Sequence, residues 1–140
     1  EFMPIGAGDG WTAQSVVPTA EVIARIDAMG TRLLPVPTPP GEPADRYVFE
    51  DGRGEIGFIS SVSEPFCGSC NRVRITSEGK LRTCLFSLTE TDLRGAVRGG
   101  ASDDEIAAMI RAAVAAKEAG HHINEPGFVR PERTMSQIGG

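Results

Sequence analysis

The chain has 140 residues, of which 40% are hydrophobic and 24% are charged, and this is the composition of one ordinary soluble domain. Its composition and its charge-interrupted apolar stretches exclude collagen-like, disordered and membrane-spanning proteins. The net charge of -5 argues against a nucleic-acid-binding protein, which needs a basic surface for phosphate contacts. Three closely spaced cysteines predict reduced thiols and a cytoplasmic location, because an odd number does not suit a disulfide framework.

The first third of the sequence predicts a strand, a helix and a connector. The apolar run Glu1–Gly6 resembles a chain that starts inside a strand, although Glu-Phe is also a common cloning remnant. Residues 19–29 have apolar side chains at helical spacing, with Thr19 as the predicted cap and Gly30 as the end. Five of the nine residues from Pro35 to Pro43 are proline, so this stretch is predicted to be an extended connector outside any sheet interior.

Two hairpins follow and predict one small antiparallel sheet. The first joins residues 46–50 to 55–61 through an Asp-Gly-Arg-Gly turn. The second joins residues 71–76 to 80–86, and Gly79 supplies the left-handed residue of its three-residue loop. The predicted fold class is therefore α+β, a small antiparallel sheet with flanking helices.

The last third predicts two helices and a tail. Asp92 begins a short helix that ends at Gly99, and a capping box from Ser102 to Glu105 begins a core-packing helix that ends at Gly120. Residues 121–140 lack sustained periodicity and are predicted to be a mobile tail.

The three cysteines are the candidate metal site. Cys67 and Cys70 form a C-x2-C turn, and Cys84 can approach them across the second hairpin. A 4Fe-4S cluster held by three cysteines leaves one iron for a substrate atom, whereas structural zinc requires four ligands. Zinc with His121 or His122 as the fourth ligand and three unrelated buried thiols are the alternatives. A thioredoxin-like site is disfavoured because a strand-like segment follows the motif.

Basic residues accompany these cysteines. In an extended strand Cys70, Arg72 and Arg74 share one face, and Lys80, Arg82 and Cys84 share one face of the return strand. Cations opposed across a hairpin repel each other, so the pattern predicts an anionic ligand, with a solvated cationic face as the alternative. Arginine suits phosphate because its planar guanidinium donates paired hydrogen bonds.

Three segments together resemble the C-terminal part of the molybdenum cofactor biosynthesis protein A family. They are Gly57–Ser60, Pro65–Thr76 and Gly79–Phe86. The members of this family are radical S-adenosylmethionine enzymes with GTP 3',8-cyclase activity. The opening residues resemble the last strands of the family's partial TIM-like barrel, and residues 135–140 resemble its double-glycine tail.

The resemblance implies a role for individual residues. Cys67, Cys70 and Cys84 match the ligands of a 4Fe-4S cluster whose open iron binds the guanine of GTP. Residues 72–74 match a GTP-binding stretch, namely Arg72, Val73 and Arg74. Met3 matches a contact to S-adenosylmethionine, and Gly139 and Gly140 match a tail that reaches into the active site.

The resemblance further implies a lyase that converts GTP to 3',8-cyclo-7,8-dihydro-GTP through a 5'-deoxyadenosyl radical. No cysteine precedes Cys67, so the C-x3-C-x2-C motif of the radical-generating cluster is absent from this chain. We therefore expect residues 1–34 to be a barrel remnant, residues 35–120 an iron-sulfur domain and residues 121–140 a tail. The expected partners are GTP, the remaining barrel portion and a second copy in a homodimer, with neither nucleic acid nor membrane. The alternative function is a small zinc-stabilised interaction domain.

Overall fold

Short antiparallel strands and helices make up the fold in a computed structural model, which describes residues 1–6 and 10–138. Internal contacts divide the chain into two units. Unit 1 contains residues 1–4 and 10–70, and the described part of unit 2 contains residues 5–6 and 71–138. The α+β class is confirmed at this level, while the three-part division at residues 35 and 121 stays a prediction.

Unit 1 carries one helix and one three-stranded sheet. Helix α1 spans Thr19–Ala28, and the strands are β1 (Leu33–Val36), β2 (Asp45–Phe49) and β3 (Glu55–Phe58). The strands are antiparallel in the order β1-β2-β3, with Leu33 opposite Phe49 and Tyr47 opposite Ile56. The predicted hairpin around residues 51–54 is confirmed.

Three details of unit 1 differ from the sequence prediction. The opening residues form no strand, so a barrel remnant is not seen there. Pro18, not Thr19, is the N-cap of α1, and Thr19 is instead a buried first-turn residue that accepts a hydrogen bond from Ser60 Oγ at 2.7 Å. Pro35 lies within β1. Proline has no N–H to donate to a neighbouring strand, and β1 tolerates it because β1 is an edge strand.

The Glu1 carboxylate fixes the segment that precedes the cysteine turn. It accepts hydrogen bonds from the backbone N–H groups of Val62 at 2.8 Å and Ser63 at 2.9 Å, and from that of Thr19 at 3.2 Å. Burial alone would raise the pKa of Glu1, but hydrogen bonds from Ser63, Val62 and Thr19 outweigh burial and hold the pKa below its ordinary value. The carboxylate therefore ties the first helical turn to residues 62–63.

Unit 2 contains a second antiparallel sheet of very short strands. These are β4 (Arg74–Ile75), β5 (Lys80–Arg82) and β6 (Thr91–Asp92), in the order β4-β5-β6. Gly79 has a φ of +75°, as the predicted three-residue loop requires. Strand β5 ends at Arg82 and not at the predicted Phe86, because the backbone turns at residues 83–86. The single predicted sheet is thus two separate sheets.

Two helices follow in unit 2. Helix α2 spans Leu93–Arg98 and is capped by Asp92, and α3 spans Asp103–Ala115 behind the predicted Ser102 capping box. Helix α3 ends before Gly120, and none of its residues is fully buried. It contacts α2, β5 and β6 through a half-buried apolar face that includes Ile106, Met109 and Ile110. The apolar face of α3 therefore packs on neighbouring elements as predicted, but its side chains are half-buried and not fully buried.

The segment after α3 makes specific contacts within unit 2 up to Ile138. Ile138 is completely buried and Ile123 is 6% exposed. The Arg130 guanidinium donates to the carbonyl of Gly6 at 3.4 Å, and Thr134 Cγ2 would lie 3.3 Å from a Cβ placed on Gly6. No helix among residues 1–6 and 10–138 combines the length and apolar character needed to cross a bilayer.

Candidate functional site

The first two cysteines lie in a tight turn of unit 1. A 3-10 turn covers Cys67–Ser69, and the Cys70 N–H donates to the Cys67 carbonyl at 3.2 Å. Pro65 and Gly68 favour this turn over a continued strand. Both thiols lie outside any disulfide and are half-buried, so the C-x2-C spacing presents two sulfur donors from one turn.

Cys84 lies in unit 2, in the turn that follows β5. The Phe86 N–H approaches the Cys84 sulfur at 3.4 Å, and the Ser87 N–H donates to the Cys84 carbonyl at 3.2 Å. Phe86 is buried and packs edge-to-face on Phe128 with a ring-centroid distance of 6.0 Å. Because β5 ends at Arg82, the predicted strand parity of Lys80, Arg82 and Cys84 is wrong for Cys84.

The donor chemistry of the three cysteines fits an iron-sulfur cluster. All three are half-buried thiols outside any disulfide, and cysteine sulfur is the donor by which proteins hold iron-sulfur clusters. Among the described residues, no group of three or more His, Cys, Asp or Glu side chains has an arrangement that could hold a metal ion. The fit therefore rests on donor type.

Residues 71–76 alternate in exposure as an extended chain requires. Val73 is 46% and Ile75 is 61% exposed, whereas Arg72 and Arg74 are half-buried and lie on the opposite side. The Arg72 carbonyl accepts a hydrogen bond from Lys117 Nζ at 3.0 Å. Within the described part of the chain, the Arg74 guanidinium has neither an ion pair nor a hydrogen bond. Arg74 can therefore bind an anion without first breaking an internal pair.

Arg82, in contrast, is not available to an external anion. It is 3% exposed, and its guanidinium pairs with Glu90 at 2.7 Å. Glu90 also accepts from Arg133 Nε at 2.6 Å and lies 3.6 Å from Lys80 Nζ. Lys80 and Arg82 thus lie beside the same carboxylate, that of Glu90 from outside the hairpin, and this carboxylate partly compensates the charge of β5.

Sequence reasoning missed Glu90 and Arg133 in this ion-pair cluster. Burial alone would raise the pKa of Glu90, but hydrogen bonds from Arg82 and Arg133 and their charges hold that pKa below its ordinary value. Arg133 also pairs with Glu78 at 2.7 Å. No local spacing relates these residues, because Arg133 is distant from both glutamates in sequence. The excess of basic residues around Cys84 was the one sequence signal that acidic partners would be needed.

The two histidines of the zinc alternative make other contacts. The His121 ring packs edge-on against Phe86 at 5.2 Å, and its Nδ1 lies 3.4 Å from the Ile123 N–H. His122 Nδ1 lies 2.9 Å from a Glu125 carboxylate oxygen. Both histidines line a cleft of about 380 Å³ in unit 2 with Phe86 and Phe128. Neither belongs to a described group of three potential metal ligands.

The remaining predicted site residues lie at the ends of the chain. Met3 is half-buried in an irregular segment of unit 1, next to the fully buried Pro4. The predicted catalytic residues Gly139 and Gly140 lie outside the described residues. Their roles and that of Met3 stay predictions.

Comparison with known proteins adds a consistent set of relatives. A profile of the family described as Molybdenum Cofactor Synthesis C matches residues 1–123. The chain is 46% identical to GTP 3',8-cyclase 2 of Mycobacterium tuberculosis, with 100% of this chain and 40% of that protein aligned. It is 44% identical to GTP 3',8-cyclase of Corynebacterium glutamicum and 48% identical to that of Pelotomaculum thermopropionicum, in each case over 100% of this chain and over 38% and 43% of the respective relatives. The chain thus spans about two fifths of the length of these relatives.

Proposed function

Because the chain belongs to the Molybdenum Cofactor Synthesis C family, we propose that it is the cluster-binding and nucleotide-binding part of a GTP 3',8-cyclase. The observation that carries this proposal is that the chain has three half-buried thiols outside any disulfide and also Arg74, whose guanidinium has no partner among the described residues. The name shared by the relatives supports GTP as the nucleotide. The resemblance noted from the sequence to molybdenum cofactor biosynthesis protein A agrees with this family.

In this proposal Cys67, Cys70 and Cys84 hold a 4Fe-4S cluster by three thiolates. When bound, such a cluster supplies one iron without a protein ligand, to which the guanine base can bind. Arg74 and Arg72 bind the phosphates of GTP, since a guanidinium donates paired hydrogen bonds to phosphate oxygens. Val73 lies between the two arginines in this stretch, with its side chain exposed on the opposite side of the extended chain.

The other parts of the reaction belong to further proposals. Met3 contacts S-adenosylmethionine, and Gly139 and Gly140 reach the active site, where residues without side chains allow close backbone approach. The radical-generating cluster requires a C-x3-C-x2-C motif that this chain does not contain. We therefore propose that turnover requires the barrel portion as a partner, in a cytoplasmic enzyme that forms a homodimer.

Anaerobic reconstitution tests the central claim. The chain is incubated with iron and sulfide, desalted and analysed for iron, sulfide and zinc, and GTP binding is then measured by calorimetry. We expect stoichiometric iron and sulfide in the parent chain and in Ser69→Ala, and their loss in Cys84→Ser. Ser69 is the matched control because it lies in the same turn and its hydroxyl donates to the Phe66 carbonyl.

Two results would contradict the proposal. The first is a chain that retains no iron under these conditions. The second is stoichiometric zinc without sulfide that disappears when His121 and His122 are both replaced by alanine. That second result would establish the zinc-stabilised interaction domain instead.

A further inference from the structure

The backbone around Cys84 is held from inside by a buried arginine. The Arg82 guanidinium donates through Nη2 to the carbonyl of Ser87 and, at 3.3 Å, to the carbonyl of Leu85. These carbonyls follow Cys84 by three residues and by one. The Phe86 N–H also lies 3.4 Å from the Cys84 sulfur. The turn thus closes around the Arg82 side chain, which is only 3% exposed.

Glu90 keeps that guanidinium in place. A buried charge is costly unless a counter-charge and further hydrogen bonds compensate it, and Glu90 supplies both to Arg82 at 2.7 Å. Glu90 itself is 13% exposed and also binds Arg133 at 2.6 Å. Arg82 is thus compensated on one side by a carboxylate and occupied on the other by two carbonyls of the Cys84 turn.

From this geometry we infer that Arg82 is a positioning residue for Cys84, held in turn by Glu90, and not a ligand of the nucleotide. A guanidinium is required because it presents several donors in one plane, whereas a lysine ammonium cannot span the carboxylate and both carbonyls in the same way. The inference rests on the proposed function only in taking Cys84 as a cluster ligand. The contacts themselves involve no cluster.

Cysteine alkylation in the full chain without metal tests the inference. Arg82→Lys keeps the charge and loses the planar set of donors. We expect iodoacetamide to modify Cys84 about fivefold faster in this variant, because loss of hydrogen bonds favours local opening of the turn. The rates at Cys67 and Cys70, followed by mass spectrometry in the same sample, remain unchanged. Arg46→Lys is the matched control, since Arg46 makes a two-point ion pair with Glu55 in unit 1.

Hydrogen exchange separates positioning from general stabilisation of unit 2. In Arg82→Lys we expect faster amide exchange at residues 83–88 with unchanged exchange in α3. Equal acceleration in α3, or an unchanged alkylation rate at Cys84, would overturn the inference. If Arg82→Lys does not fold, Glu90→Gln must give the same local pattern with a smaller change, and a pattern spread over unit 2 would again overturn it.

A spectroscopic measurement connects the inference to the cluster. After anaerobic reconstitution, Arg82→Lys is expected to retain the parent iron content but to show a changed electron paramagnetic resonance spectrum in the reduced state. An identical spectrum would contradict a positioning role. Alkylation and exchange need neither iron nor GTP, so failure of the proposed function and failure of this inference give different results.

Discussion

Arg74 and Arg82 occupy directly opposed positions of the β4–β5 hairpin and yet have different environments. Arg82 is buried and compensated by Glu90, whereas the Arg74 guanidinium has no such partner among the described residues. The repulsion that two opposed arginines would cause is therefore relieved on one side only. This difference makes Arg74, and not Arg82, the cation available for an anionic ligand.

Arg74→Ala should weaken GTP binding to the reconstituted chain by about 1.5 to 3 kcal/mol, the range for hydrogen bonds to charged groups. Calorimetry measures the affinity, and iron analysis should show an unchanged cluster content. Arg111→Ala is the control, because Arg111 is exposed on α3 and is not part of the proposed site. Equal GTP affinity in Arg74→Ala and the parent chain would remove Arg74 from the binding site.

His122 provides a second test at the residue scale. Its hydrogen bond with Glu125 and the charge of Glu125 raise the pKa of His122 above its ordinary value. The pair therefore contributes most below the ordinary histidine pKa of about 6.5, and its contribution is lost as the pH rises through the raised pKa.

Glu125→Gln should accordingly lower the pKa of His122 toward its ordinary value. Proton NMR of the imidazole ring measures the titration, with Glu132→Gln as a control because Glu132 is exposed and has no ion pair among the described residues. An unchanged His122 titration in Glu125→Gln would show that this ion pair does not form in solution.

At the scale of the element, the β4–β5 hairpin depends on Gly79 for two reasons. Its φ of +75° is unfavourable for residues with a side chain, and a Cβ at this position would lie 2.7 Å from Arg94 Cβ. The Arg94 N–H also donates to the Gly79 carbonyl at 3.0 Å, so the start of α2 lies directly against the hairpin loop. The hairpin loop and the first turn of α2 therefore pack directly against each other at Gly79 and Arg94.

Gly79→Ala should destabilise unit 2 by about 3 kcal/mol, because an unfavourable φ and a steric clash add together. Gly100→Ala is a matched control within unit 2, since Gly100 has a φ of +84° and a Cβ there would have no atom of the described residues within 4 Å apart from its chain neighbours. It should cost only about 1 kcal/mol, the penalty of the backbone conformation. Urea unfolding followed by circular dichroism measures both values, and equal losses would refute the contact with Arg94.

At the scale of the whole molecule, a net charge of -5 coexists with a basic region around Cys84. Glu78 and Glu90 neutralise much of that region by pairing with Arg82 and Arg133. These pairs join β5 and the segment after Cys84 to the C-terminal segment of unit 2. The positive charge around Cys84 is therefore partly compensated by glutamates of the same unit.

This arrangement predicts acid sensitivity that depends on Glu90. Because the folded-state pKa of Glu90 is lowered, its contribution is present above the ordinary glutamate pKa of about 4.3 and is lost as the pH falls through the lower folded value. Glu90→Gln should therefore be less stable than the parent chain at neutral pH, and the difference should shrink in acid.

Urea unfolding at about pH 7 and about pH 3 measures that difference. Glu132→Gln, which alters an exposed carboxylate, should leave the stability nearly unchanged at both pH values. A loss of stability in Glu90→Gln that does not depend on pH would contradict the ion-pair explanation.

Local patterns in the sequence determined much of this protein. Apolar spacing and Gly30 predicted α1, the Ser102 capping box predicted the start of α3, and the turn residues predicted both hairpins. Spacing and resemblance also predicted the three thiols and Arg72 to Arg74 as site residues, and their roles stay predictions. These features depend on residues near each other in the chain, so short-range hydrogen bonding and side-chain alternation are sufficient to predict them.

Only the tertiary structure decided which charges remain available and where strands end. Glu90 pairs with Arg82, and Arg133 pairs with Glu90 from a distant C-terminal segment, so no local pattern predicts this cluster; the turn after Arg82 removes Cys84 from the predicted strand. Edge placement of β1 similarly allowed Pro35 to lie in a strand. Burial and ion pairing depend on which distant segments pack together, and that information lies in the folded chain as a whole.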